Sequence, residues 1–353
     1  MNKVIQIGKK KMGDKCPCFI IAEMSGNHNM DFDRAVEIIK AAKRAGADAI
    51  KLQTYTADTI TLDSDKDYFK TGHIWEGTTL HKLYEQAYTP WEWQPELKKI
   101  ADELGIILFS SPFDSTAVDF LQQMDVPAYK IASYEIVDIP LIRKVASTGK
   151  PIMISTGIAE KEDIELAVKT CIEVGNNQVI LLKCTSEYPA PYEDMNLRTI
   201  PLMQDTFSCC CGLSDHSMGD ELAIAAVAMG AKVIEKHFTL KRSDGGVDSS
   251  FSMEKEEFAQ MVVRIRNVEK AMGTATFDLL QKQKEEKKGG RSIFISKDIK
   301  EGEPFTEENI RSVRPGYGLH TKYYDEVIGK HAAKNLKFAE PLHMDDVKEK
   351  IIG

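Results

Sequence analysis

Short apolar runs alternate along the chain with longer stretches in which apolar residues recur every three or four positions. Eight β-rich runs fall at residues 18–22, 49–53, 106–110, 128–132, 151–155, 179–184, 212–213 and 233–237; the seventh is short and weakly patterned. Between them, residues 32–45, 93–104, 116–124, 141–148, 161–174 and 220–229 read as amphipathic helices. Ala35, Ile38, Ile39 and Ala42 illustrate the spacing. Glycines close several of these stretches, at Gly46, Gly105, Gly149, Gly175 and Gly230. A helix ends there at little steric cost, because glycine accepts the left-handed conformation.

Eight strands alternating with helices predict an α/β protein, a (β/α)8 TIM barrel over residues 1–280. An open doubly wound sheet is the structural alternative. Its glycine-rich turn after the first strand is absent; Glu23-Met24-Ser25-Gly26-Asn27-His28-Asn29 stands there instead. The rhythm ends near residue 280. Residues 281–290, containing KQKEEKKGG, read as a linker. Residues 291–353 read as a small β-rich domain, with strand-like pieces at Ser292–Ile295 and Ile310–Val313 and turn signals at Glu301-Gly302 and Pro315-Gly316. A domain of that size often needs a partner surface to be stable.

Composition narrows the picture. With 353 residues, 42% hydrophobic and 28% charged, the chain is neither a disordered tail, a collagen-like fibre nor a coiled coil. A net charge of −8, from 46 basic and 54 acidic residues, comes with no basic stripe and argues against nucleic-acid or membrane-surface partners. No apolar run reaches the ~18 residues of a membrane span, and residues 1–11 lack the apolar core of a signal peptide. The expected location is cytoplasmic. Seven cysteines without disulfide spacing suit a reducing compartment. Cys16-Pro17-Cys18 and Cys209-Cys210-Cys211 read as ordinary strand or loop residues.

Active sites of such barrels lie at the C-terminal strand ends, and these ends are polar. They carry Glu23, Lys51 and Gln53, Ser110-Ser111, Lys130 and Ser133, Ser155-Thr156-Gly157, Lys183 to Ser186, Ser214-Asp215-His216 and Glu235-Lys236-His237. A lysine inside a barrel must meet a negative group. Lys51 and Lys130 therefore face either an anionic ligand, a phosphate or a carboxylate, or barrel carboxylates such as Glu23 and Glu235. His216 and His237 end consecutive strands, and their imidazoles suit a divalent ion acting as a Lewis acid.

The runs FIIAEMSGNHN, ADAIKLQTYT, SSPFD, PAYKIAS, ISTG, LLKCTSEYPAP, GLSDHSMG, VIEKHFTL and VDSSFSM resemble those of the sialic acid synthase family. The tail, with KDIKEGE and RPGYGL, resembles its antifreeze-like (SAF) domain. KLQTYTADTITLD and LYEQAYTPWEW look like the pseudaminic acid synthase branch; the N-acetylneuraminate and legionaminate branches are the alternatives.

The resemblance implies condensation of phosphoenolpyruvate with an open-chain diacetamido sugar, 2,4-diacetamido-2,4,6-trideoxy-L-altrose, and release of phosphate. It implies that Lys51, Ser111, Lys130, Ser133, Ser155, Ser186 and Ser214 hold phosphoenolpyruvate, and that His216 and His237 bind Mn2+ or Mg2+. Gln53, Tyr188, Asp248 and Arg314 would contact the sugar, Arg314 from the tail of the partner in a domain-swapped homodimer. Glu23, which also faces the sugar, Glu135 and Glu235 are the candidates to handle the water proton. Ser111 stands where the family often has threonine, and Ser186 where N-acetylneuraminate enzymes have asparagine.

Overall fold

The computed structural model describes residues 4–349, apart from the side chain of His73. The ends of the two expected domains, residues 1–3 and 350–353, lie outside the described residues. The chain divides after Gly273 into two compact units.

The first unit opens with an antiparallel hairpin, β1 (Val4–Ile7) and β2 (Lys10–Gly13), turning at Gly8 with φ 54°. Ile5, Ile7 and Met12 are buried in the core of the barrel, and Gly8 sits against Ile107 at the start of the third barrel strand. The hairpin thus covers the N-terminal end of the barrel. Its lysines hide this in the sequence: Lys10 and Lys11 face outward while Met12 faces in.

Eight parallel strands follow: β3 (Phe19–Glu23), β4 (Ala49–Thr54), β5 (Ile107–Pro112), β6 (Tyr129–Ile131), β7 (Ile152–Ser155), β8 (Val179–Cys184), β9 (Cys210–Asp215) and β10 (Val233–Thr239). Each pairs with the next, and β10 pairs with both β9 and β3, so the sheet closes. Both strand faces are covered, by barrel interior and by helices, so the strands read as nearly unbroken apolar runs such as Val179–Cys184. A two-residue strand, β11 (Met253–Glu254), adds to β10.

The seventh barrel strand spans Cys210–Asp215, not residues 212–213 alone. Small residues disguise it. A Cβ on Gly212 would lie 2.3 Å from the Val233 carbonyl oxygen, so close packing against β10 demands glycine there. The six expected helices appear, as Phe32–Arg44, Gln94–Leu104, Ser115–Gln123, Ile139–Ser147, Lys161–Glu173 and Glu221–Ala228. The pattern missed Leu80–Ala87, Thr199–Phe207 and the 18-residue Lys255–Met272.

Residues 271–290 are exposed throughout and include the short helix Gln281–Glu286. The second unit has two antiparallel ladders, β12 (Ser292–Ile295) with β13 (Ile310–Val313), and β14 (His331–Ala332) with β15 (Val347–Lys348). Its separate core holds Ile293, Ile295, Phe305, Ile310 and Leu342. Among the described residues no helix is long and apolar enough to cross a membrane, and the seven cysteines are free.

Candidate active site

Parallel register fixes who meets whom at the barrel mouth. Glu23 pairs in register with Lys51 on one side and His237 on the other, Gln53 with Ser111, and Ser214 with Glu235. Side chains alternate along a strand, so Glu235 and His237 share a face and Lys236 takes the opposite one.

The inner layer is a charge cluster. Glu235 Oε1 accepts from Lys51 Nζ at 3.0 Å, Lys130 Nζ at 3.3 Å and Ser214 Oγ at 3.0 Å. Glu23 Oε2 lies 3.2 Å from Lys51 Nζ, off the angle for a hydrogen bond. All four charged groups are at most 5% exposed. The lysines therefore meet barrel carboxylates in the free protein.

Burial opposes ionisation of Glu235, yet Lys130 and Lys51 outweigh it and hold its carboxyl well below the usual range. Burial acts to lower Lys51, but Glu23 and Glu235 win and raise it. Burial pulls Lys130 down, only partly offset by Glu235. Glu23 is pushed up to about 7 by burial against the pull of Lys51. Two lysines thus share one firmly ionised carboxylate, and burial works against the charge of Lys130; an incoming anion would supply the counter-charge it lacks.

Eight buried side-chain polar atoms lack a hydrogen-bond partner among the described residues, and six of them lie in this region: Glu23 Oε2, Ser111 Oγ, Glu135 Oε2, Ser155 Oγ, Glu235 Oε2 and His237 Nδ1. Buried polar groups are otherwise almost always paired. A concentration of unpaired ones is the mark of a site that a polar ligand completes.

Ser133 and Ser186 are already joined, with Ser186 Oγ donating to Ser133 Oγ at 2.7 Å, and Ile158 N donates to Ser133 Oγ at 3.1 Å. A Cβ on Gly157 would fall 2.2 Å from Ser186 Oγ and 2.6 Å from Ser133 Oγ. This small cradle exists only because the residue is glycine.

On the other side, Gln53 Nε2 donates to Glu23 Oε1 at 2.9 Å and to Ser25 Oγ at 3.1 Å, and Ser25 in turn donates to the Asp248 carboxylate. Burial raises the Asp248 pKa. Glu135, on the turn after β6, is pushed up to about 7 by burial.

The histidine rings lie 5.4 Å apart, centroid to centroid. His216 Nδ1 is 2.8 Å from the Thr185 carbonyl oxygen; as donor there, it leaves the lone pair on Nε2. Burial, then His216 and Lys51, lower the His237 pKa well below the ordinary value, so its ring is neutral. Burial works to lower His216, but the neighbouring Cys184 thiol and the Thr185 carbonyl outweigh it and raise its pKa. The neutral His237 ring with its orphaned buried nitrogen, beside the free Nε2 of His216, fits a divalent cation, which would compete with a proton at His216. Among the described residues no group of three or more His, Cys, Asp or Glu is arranged around a common ion position.

Aromatic rings wall this pair. Tyr188 is 4.3 Å from His216 and 5.2 Å from Phe251, Phe251 is 5.0 Å from His237, and Trp75 is 5.7 Å from Tyr188. The sequence reading missed Ser25, Trp75, Gly157 and Phe251 as site residues. The FIIAEMSGNHN run contains Ser25, VDSSFSM contains Phe251 and ISTG contains Gly157, so those three were within reach of the motifs; Trp75, in the excursion between β4 and β5, carries no local signal. Arg314 belongs to the second unit and is exposed.

A closed parallel barrel with a cationic, under-paired mouth and a histidine pair defines a barrel enzyme for an anionic substrate. Residues 38–277 match the NeuB family and residues 290–348 the SAF domain. The chain belongs to the NeuB family. It is 46% identical over 343 residues to the pseudaminic acid synthase of Campylobacter jejuni subsp. jejuni serotype O:2, covering 97% of this chain and 99% of the relative. The pseudaminic acid synthase of Helicobacter pylori is 43% identical, with 95% and 99% covered. The N-acetylneuraminic acid synthetase of Leptospira borgpetersenii serovar Hardjo-bovis, solved with citrate, has a TM-score of 0.74 at 32% identity, covering 81% of this chain and 95% of that one.

Proposed function

We propose that this protein is a pseudaminic acid synthase, condensing phosphoenolpyruvate with 2,4-diacetamido-2,4,6-trideoxy-L-altrose and water to give pseudaminic acid and phosphate. The carrying observation is the cluster of buried, unpaired polar atoms around Lys51 and Lys130; the 43–46% identity to synthases of that name supports the choice of sugar.

Phosphoenolpyruvate occupies the lysine layer. Its carboxylate and phosphate draw Lys51, Lys130 and Ser214 from Glu235 and give partners to Ser111 and Ser155, with Ser133 and Ser186 at the Gly157 cradle. Glu235 is the counter-charge to both lysines until the anion arrives. The sugar lies against Gln53, Asp248 and Tyr188. A divalent cation, Mn2+ or Mg2+, held by His216 and His237 would polarise the aldehyde oxygen.

C3 of phosphoenolpyruvate attacks the aldehyde carbon, positive charge develops at C2, water adds there, and phosphate leaves with C–O cleavage. Lys51 and Lys130 hold the anion in a near-attack pose, an effect of several kcal/mol in well-oriented systems. Glu23 and Glu135, both near 7, suit transfer of the water proton. Glu235 is too acidic for that work.

Arg314 would reach an acetamido carbonyl of the sugar from the tail of a partner copy, with its fork of donors. Mixing Arg314→Ala and Lys51→Met chains, each nearly inactive alone, should restore activity by subunit exchange if the arginine works in trans. The reaction itself is tested by mass spectrometry of the product formed with phosphoenolpyruvate and each candidate sugar. Turnover of N-acetylmannosamine, or of the legionaminate precursor, in preference to the altrose derivative would overturn the assignment. Equal phosphate release without any sugar would overturn the condensation.

A further inference from the structure

The N-terminal end of the barrel, opposite the lysine layer, carries chemistry that the condensation does not use. Cys209 sits in a bend just before β9, and Cys211 is the second residue of that strand. Residues two apart on extended chain share a face, and here the two Sγ atoms lie 3.7 Å apart. The intervening Cys210 alternates to the other face.

Four further observations bear on this pair. Cys209 lines an open surface cavity of about 440 Å3, together with Asp14, Ser208, Lys232 and its neighbour Cys210, which has no sulfur partner of its own, so a water-sized reagent can reach this segment. Cys211 has no exposed surface and lies behind it. The ladder to β8 begins only at Cys210, which leaves the Cys209 backbone outside the strand pairing. The two thiols are within hydrogen-bond reach and either can donate to the other, while the Cys211 thiol also lies 3.7 Å from the Cys209 carbonyl oxygen; the contact with Cys211 lowers the Cys209 pKa, with burial opposing. A soft-metal site is the competing use of clustered cysteines, but among the described residues no group of three or more ligand-type side chains is arranged around an ion.

We propose that Cys209 and Cys211 are a peroxide-oxidisable dithiol on the floor of the barrel, with Cys209 as the attacking sulfur and Cys211 as the resolving one. The Cys209 thiolate attacks one oxygen of a small hydroperoxide. The O–O bond breaks, an S–O bond forms, and the departing hydroxide takes up a proton to leave as water (or as an alcohol, from an alkyl peroxide). The Cys211 sulfur then displaces hydroxide from the sulfenic acid, and with the Cys211 proton this leaves as water. Two thiols lose two electrons and two protons, and hydrogen peroxide becomes two waters. The sulfurs must close by about 1.7 Å to reach bonding distance of ~2.04 Å. Side-chain rotation at the unpaired bend supplies that movement. A thiol reductant restores the pair by exchange.

The test is peptide mass mapping of the full-length protein after brief hydrogen peroxide treatment. Cleavage after Arg198 and Lys232 places Cys209, Cys210 and Cys211 alone in one peptide. That peptide should lose about 2 Da, reversibly with reductant, in the wild type and in Cys210→Ser. Cys209→Ser and Cys211→Ser should not lose it, and Cys211→Ser should instead trap a sulfenic acid at Cys209 that reacts with dimedone. No mass loss in the wild type, loss persisting in Cys209→Ser, or loss abolished by Cys210→Ser would each overturn the proposal. Should a variant fail to fold, differential alkylation of the wild type decides. Cys209 and Cys211 must become unreactive together, with Cys210 unchanged, and any other pair refutes the assignment.

Discussion

Lys236 Nζ donates to Asp215 Oδ2 at 2.7 Å, and the side chains are 2% and 0% exposed. The same ammonium donates to the Ser217 carbonyl oxygen at 2.7 Å, while Asp215 Oδ1 accepts from Ser217 N at 2.9 Å and Ser217 Oγ at 2.6 Å. The two residues are direct sequence neighbours of His237 and His216. They tie β9 to β10 on the outer face, and the histidines project from the adjoining positions.

Lys236→Met removes the counter-charge of a buried carboxylate, which keeps only its two hydrogen bonds from Ser217. Such losses cost about 3–5 kcal/mol. Urea unfolding should show that drop, and Mn2+ affinity, read by electron paramagnetic resonance, should fall with it. A loss under about 1 kcal/mol would mean that the pair holds nothing together.

Lys130→Met removes one charge-assisted contact from the proposed anion pocket. At about 1.5–3 kcal/mol, the Michaelis constant for phosphoenolpyruvate should rise roughly 10- to 150-fold. The constant for the sugar should move far less. Equal changes in both would assign Lys130 a purely structural place.

Glu135 gives a pH signature. Its carboxyl rises from the ordinary 4.5 to about 7 because burial disfavours the charge. A raised folded pKa means a stability contribution that is complete below about 4.5 and lost as pH climbs through about 7. Glu135→Gln is neutral at every pH, so it should gain on the wild type between about pH 5 and pH 8, by on the order of 2–3 kcal/mol. Denaturant unfolding at both ends of that window measures the difference. A pH-independent gap would show that Glu135 does not titrate there. Wild-type turnover should rise through about pH 7, and the glutamine variant should lose whatever part of that rise depends on Glu135.

Trp75 stands against Tyr188, which stands against His216. If this wall receives the methyl-bearing part of the sugar, Trp75→Ala should lower kcat/KM for the sugar roughly tenfold, about the ~1.4 kcal/mol of one aromatic contact. The Michaelis constant for phosphoenolpyruvate should stay within about twofold. A matched loss for both substrates would point to collapse of the excursion instead.

The sequence carried the barrel because its strands, buried on both faces, are apolar without interruption, and its helices show one apolar face each. It also carried the strand-end polar residues, since a lysine such as Lys130 in the run PAYKIAS has no innocent place in an apolar strand. It obscured β9, where Cys210, Cys211 and Gly212 replace bulky residues to let β10 approach. It obscured the hairpin β1–β2, whose two buried faces are only a few residues long beside four lysines. Trp75 was out of reach, because its neighbours Tyr188, Val247 and Phe251 are distant in the chain and only the folded excursion joins them. Nor could the sequence choose among Glu23, Glu135 and Glu235; the shared Oε1 of Glu235, visible only in three dimensions, separates it from the other two.

Ser111 and Ser155 each bury a hydroxyl that nothing in the described protein engages. Replacing either with alanine removes a group that costs about 1–3 kcal/mol to keep dry and alone. The ligand-free protein would then be as robust as before, or more so. Durability and turnover are therefore opposed at these two positions. A laboratory screen that selects only for survival on heating would accumulate Ser111→Ala and Ser155→Ala, and, on the function proposed above, would return hardy barrels with a weakened grip on their anion.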